Sequence, residues 1–234
     1  MRCWRWQKPI IWSSLWIEIL VGGLFPWSAQ AQTVEPTSYD MLNGQTGSWT
    51  YHDEIYSGSG AVTTDLSPLA GGLGDLTDDV IAGANWNVTE PPAGNGPYVG
   101  WQTVNPSITF QFAQGVAFNT ITVEADDSNG AGGVFVPATV NITVGANATR
   151  SFAVVDPPGS APVSLPFNVQ GDVGNTVVVE IISQASSWIM ISEIDFDGAV
   201  AVPTLPRWGF LALALLLLAM AVTSLRRRGG SGVR

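Results

Sequence analysis

The chain has 234 residues and a formal net charge of −10, although only 12% of its residues are charged. Between residues 32 and 202 lie eighteen of the nineteen acidic residues and one basic residue, Arg150, so that stretch carries −17. A field of this sign repels nucleic-acid phosphates and anionic headgroups; it excludes a nucleic-acid role and favours solubility and cation binding.

Arg2, Arg5 and Lys8 precede an apolar run from Pro9 to Phe25, which closes on Ala29-Gln30-Ala31. A cationic start, an apolar stretch and a small-x-small site predict a secretory signal peptide over 1–31, cut by signal peptidase after Ala31. Only small side chains fit the peptidase at Ala29 and Ala31. Residues 32–48 read as an exposed lead-in, broken by Pro36, Gly44 and Gly47.

Beyond it, short alternating runs recur between Gly, Pro, Asn and Asp. Ile108, Phe110 and Phe112 alternate with Thr109 and Gln111; Ile121 and Val123 alternate with Thr120, Thr122 and Glu124. Val140, Ile142 and Val144 form a third face, and Val177, Val179 and Ile181 a fourth. Trp188, Met190, Ile194 and Phe196 form the last, with Glu193 and Asp195 opposite. Period two places each apolar set on one face of a half-buried strand, and no helical stripe competes. Seven or eight such strands predict an all-β jelly-roll sandwich over 49–198.

The mature stretch holds no cysteine, since Cys3 lies in the signal peptide, and its one histidine is His52. Disulfides, most zinc sites and Cys–His chemistry are thereby excluded. No Gly-x-Ser-x-Gly elbow occurs and nothing orders the acids into a pair. The expected domain is not an enzyme, and a glycan hydrolase is the weakest alternative.

Residues 199–207 form a linker. Trp208 to Leu225 is almost wholly apolar, and as a helix at ~1.5 Å per residue it spans roughly 27 Å, close to a hydrocarbon core. Arg226, Arg227 and Arg228 follow, the mark of the cytoplasmic side, so 208–225 is the predicted transmembrane helix and 226–234 a basic cytoplasmic tail. Everything before Trp208 is placed outside the cytoplasm.

Val202, Pro203, Thr204, Leu205, Trp208 and Gly209, followed by that span and the arginines, resemble the IPTL-CTERM sorting signal, a sibling of the PEP-CTERM signals. The resemblance implies an exosortase-type membrane peptidase as partner and delivery to the cell surface. Two prolines keep 202–207 extended, which suits a peptidase cleft.

The landmarks Gly71-Gly72-Leu73-Gly74-Asp75-Leu76-Thr77-Asp78-Asp79, Tyr98-Val99-Gly100-Trp101, Ile108 to Phe112, Gly132 to Pro137 and Ser192-Glu193-Ile194-Asp195-Phe196-Asp197-Gly198 come in an ordered series. In that order they resemble the galactose-binding-like superfamily of discoidin and coagulation-factor C domains. The resemblance implies a structural calcium near Thr77, Asp78, Asp79 and Glu193; the alternative is that Asp78 and Asp79 are solvated turn residues. It also implies carbohydrate binding by loops at one end of the sandwich, with Tyr51, His52, Trp86, Asn95 and Tyr98 as exposed candidates. Trp86 either stacks on a sugar or lids the core. The expected function is a surface-displayed binding module for extracellular polysaccharide. A structural or matrix protein without a specific ligand is the alternative.

Overall fold

The computed structural model describes residues 32–90, 96–184, 187–200, 215–217 and 219–220. The signal peptide, the sorting motif and most of the predicted span therefore lie outside the described residues. No helix among the described residues is long and apolar enough to cross a membrane.

Among the described residues ten strands form one continuous, open hydrogen-bonded sheet that bends into a sandwich around the main core. They are β1 (Gln32–Thr33), β2 (Ser38–Leu42), β3 (Pro68–Gly72), β4 (Val99–Trp101), β5 (Ser107–Ala125), β6 (Thr139–Val144), β7 (Arg150–Ala153), β8 (Val163–Asn168), β9 (Val173–Ile182) and β10 (Ile189–Val200). A 3₁₀ turn, Asp75–Thr77, and one α-helical turn, α1 (Trp86–Thr89), interrupt the long segment between β3 and β4.

The nineteen-residue β5 organises the fold. Its first half pairs β2 and β9; its second half pairs β8 and β10. A register shift between Gln111 and Val116 marks the corner between the halves, where Ala113 and Gln114 are exposed. Strands turn such corners through irregularities of this kind. A second shift, opposite Asp197 and Gly198, moves the inward residues from even positions (Ile108, Phe110, Phe112, Val116, Phe118) to odd ones (Ile121, Val123, Ala125). The five alternating runs of the sequence become β5, β6, β9 and β10, and their apolar residues are buried.

Two expectations need correction. The lead-in 32–48 is not exposed chain: it contributes β1 and β2, and Tyr39 is fully buried between Gly72 and Phe110. The alternation Tyr39–Met41 is a strand signal, and the nearby breakers mask it. In β10 the shift between Ile191 and Glu193 changes the strand's phase. Ile189, Ile191, Ile194 and Phe196 enter the main core, whereas Trp188 and Met190 join a second cluster. Glu193 is consequently buried rather than set on an outer face.

Candidate functional site

The aromatic candidates are interior. Tyr51, Trp86 and Tyr98 are 2%, 8% and 1% exposed and build the second cluster with Ala82, Val134, Trp188 and Met190, against which Trp49 packs. Tyr51 meets Trp188 edge to face at 5.2 Å, and Trp49 packs tilted against Trp86 at 5.3 Å between centroids. Glycines seal the cluster: a Cβ on Gly47 would come within 2.7 Å of Trp188, and one on Gly132 within 2.2 Å of Trp86. No ring face of Tyr51, Trp86 or Tyr98 is open for stacking on a pyranose, so Trp86 is a lid. Its indole Nε1 has no hydrogen-bond partner among the described residues. His52 is also buried, and its Nε2 lies 2.7 Å from Asp65, whose carboxyl this contact holds below the usual range. Asn95 lies outside the described residues.

The acidic candidates lie where the 3₁₀ turn Asp75–Thr77 meets β10. The Asp78 N–H donates to Glu193 Oε2 at 3.2 Å, joining two of the expected calcium residues. Asp79 sits in the left-handed region at φ 64°, and the Thr77 hydroxyl is committed to the Gly74 carbonyl at 3.3 Å. Burial, then the charges of Asp195 and Asp78, push Glu193 up to about 8. Nearby, burial and the charge of Asp53 push Asp75 up to about 8, while the Asp53 carboxylate accepts from the Tyr39 hydroxyl and the Asp75 N–H. These are hard oxygen donors, the chemistry calcium takes. Among the described residues, however, no three His, Cys, Asp or Glu side chains converge as a metal shell.

An open groove lies elsewhere, and its lining is uncharged. A groove of 390 Å³ is lined by Gln102, Thr103, Val104, Asn105 and Ser183, toward the small end of the ~300–1,000 Å³ of ligand clefts. One wall is the loop from β4 to β5 and the other is the residue after β9. Asn105 Oδ1 ties them, accepting the Ser183 N–H at 3.0 Å and the Ser183 hydroxyl at 3.1 Å. Behind the first wall, Gln45 Oε1 accepts the N–H groups of Gln102 and Thr103 and the Thr103 hydroxyl, at 3.0–3.1 Å. A backbone N–H can only donate, so both amides are fixed in orientation. The nitrogens of Asn105 and Gln45 have no partner among the described residues and remain donors.

The groove also has a fixed place relative to the chain ends. It follows Trp101, which pairs with Ile189 at the start of β10, whereas Gln32 pairs with Gly198 near the end of β10. Nine residues at ~3.3 Å each separate the two points by roughly 30 Å. The groove is at the opposite end of the sandwich from where the chain enters and leaves.

None of the groove residues was a sequence candidate. A weak signal existed in the uncharged run Gln102–Asn105 held between Trp101 and Pro106. The approach of Ser183, 78 residues away, carries no local signature.

An antiparallel sandwich with a loop-built polar groove at the end away from its termini defines a discoidin-type domain. The chain belongs to the family described as discoidin domain-containing receptor 1/2, DS-like domain, whose profile matches residues 36–198. No curated protein matches it. Among solved structures it is similar to a fucolectin from striped bass (Morone saxatilis) serum, at 16% identity and TM-score 0.43 over 74% of this chain. The chain spans about half the length of that fucolectin, 50%. It is also similar to the family 32 carbohydrate-binding module of C. perfringens NanJ, solved with galactose, at 8% identity and TM-score 0.39 over 72% of this chain and 99% of that one.

Proposed function

We propose that the chain is a non-catalytic binding protein of the cell surface whose sandwich holds extracellular carbohydrate in the groove between Gln102–Asn105 and Ser183. One observation carries the reading: an open groove of fixed amides and hydroxyls with a single apolar residue, Val104, on its wall. Such a lining matches the alternating hydroxyls and C–H faces of a sugar. Membership of the discoidin-type family supports a binding role. A glycan array probed with the full chain and with Thr103→Val tests it. The expected result is binding by the wild type that the variant loses; a folded wild type that retains no glycan would overturn the carbohydrate reading.

The proposal includes export by the signal peptide, membrane attachment through 208–225 and recognition of the 202–209 motif by an exosortase-type peptidase. Intact mass of the protein recovered from its own cell envelope reports both cleavages. The mass of a chain with both ends retained would overturn the processing.

Calcium belongs to the same proposal as a structural ion. Asp78 and Glu193, with backbone oxygens of the 74–79 loop, would hold it, and a divalent charge there would relieve repulsion between crowded carboxylates. Thermal midpoint is expected to rise with calcium in the wild type and to be unresponsive in Glu193→Gln. Equal response of both proteins places any ion elsewhere.

A further inference from the structure

Resting on the proposed function, we infer that the groove accepts neutral, hydroxyl-bearing sugars and rejects acidic ones, because its two hydroxyl groups have already spent their protons within the protein. The Thr103 hydroxyl donates to Gln45 Oε1 and the Ser183 hydroxyl to Asn105 Oδ1, both at 3.1 Å. Each therefore turns a lone pair, not a proton, toward the groove. A sugar hydroxyl can donate to such an oxygen. A carboxylate or sulfate cannot, and it meets two acceptors unless both internal bonds break.

The remaining lining does not compensate an anion. The amide nitrogens of Asn105 and Gln102 serve a hydroxyl and a carboxylate alike, so they do not discriminate. Among the described residues the sole lysine or arginine is Arg150, which is bound to Asp172 at 2.7 and 2.8 Å through a bidentate fork, and the one histidine, His52, is buried against Asp65. Acidic residues are close in the chain to both walls: Glu180 precedes Ser183 in β9, and Asp65 holds Thr46 next to Gln45. The formal charge of −17 over 32–202 adds a long-range term of the same sign.

The two contributions separate by salt. Long-range repulsion is screened when the Debye length falls from ~8 Å at about 0.15 M to ~3 Å at about 1 M, whereas a committed hydroxyl proton is unaffected. The full chain is titrated calorimetrically with matched pairs, galactobiose against digalacturonate and mannobiose against dimannuronate, at both salt concentrations. The expected result is binding of a neutral member at least about tenfold tighter than its acidic partner, with the preference retained at high salt. Thr103→Val is expected to weaken the neutral sugar and narrow the ratio, and Thr103→Ser to restore both. An acidic sugar bound equally or better, or a preference that vanishes at about 1 M salt, would overturn the inference while leaving carbohydrate binding in place. Binding of neither kind by a folded protein would sink the proposed function itself.

Discussion

Asn43→Ala is expected to destabilise the domain by roughly 4 kcal/mol, lowering the thermal midpoint by about 10 °C in a melt followed by circular dichroism. Asn43 is fully buried just past β2, and every polar atom of its side chain is used. Its Nδ2 reaches the carbonyls of Ala61, Val62 and Thr64 at 3.4, 3.0 and 3.3 Å. Its Oδ1 accepts the N–H groups of Gly44 and Asp53 at 2.8 and 2.9 Å. Truncation leaves several of these backbone groups buried without partners, and each such group costs ~1–3 kcal/mol. Gln45, which braces the groove wall at Gln102 and Thr103, lies two residues on. A midpoint within about 2 °C of wild type would show that the loop 61–64 rehydrates freely and that Asn43 does not hold it. Asn43→Asp is expected to fail similarly at neutral pH, because a carboxylate oxygen would face three carbonyl oxygens.

The domain is expected to be more stable at pH 5 than at pH 8, the reverse of proteins held by salt-bridged carboxylates. Glu90 is buried at the end of α1, its Oε1 accepting the Tyr98 N–H at 3.0 Å, and burial pushes its carboxyl up to about 7. Burial, then the charge of Glu90, pushes Glu54 up to about 7 as well. An acid whose folded value is raised binds its proton more tightly in the folded state. Its stability is complete below the ordinary value of 4.5 and is lost as pH climbs toward about 7. For Glu90 that rise corresponds to about 3 kcal/mol at ~1.4 kcal/mol per unit. A midpoint about 5–10 °C lower at pH 8 follows. Glu90→Gln keeps the acceptor for Tyr98 and removes the charge, so its profile is expected to flatten across this window. A wild-type profile that rises from pH 5 to pH 8 would contradict the assignment. Asp65, lowered by His52, acts in the other direction, but only as pH falls through its own lower range.

Where alternation was unbroken the sequence was legible. Val140, Ile142 and Val144, or Val177, Val179 and Ile181, are read directly as buried faces because period two survives along the whole strand. It fails where the backbone slips by a residue. Across the irregularity at Ile191–Glu193 the residues on either side exchange faces, so Met190 and Ile194 point to different clusters although they share one parity. Large aromatics in loops were the main source of error. Trp86 and Tyr98 looked exposed because nothing local shows that residues 82–90, 96–98 and 130–134 pack against Trp188 and Met190. The groove depended on contacts across 58 and 78 residues, between Gln45 and Thr103 and between Asn105 and Ser183. Such pairs leave no trace in spacing. The acidic residues were legible as a sign of charge and, for Asp78 and Glu193, as a pair that the fold brings together; the buried placement of Glu90 carried no such signal.

The pairing of β1 with β10 has a mechanical consequence. Gln32 and Thr33 are zipped to Gly198 and Asp197, the Val34 N–H adds one bond to the Phe196 carbonyl at 2.9 Å, and the two strands run antiparallel from the same end. Tension applied between the domain's entry and exit points would load those contacts in sequence, peeling them one at a time rather than shearing them together. The first strand would detach at low force. β10, clamped along β5 from Val116 to Ala125, would stay seated, and the distant groove would keep its shape under the pull.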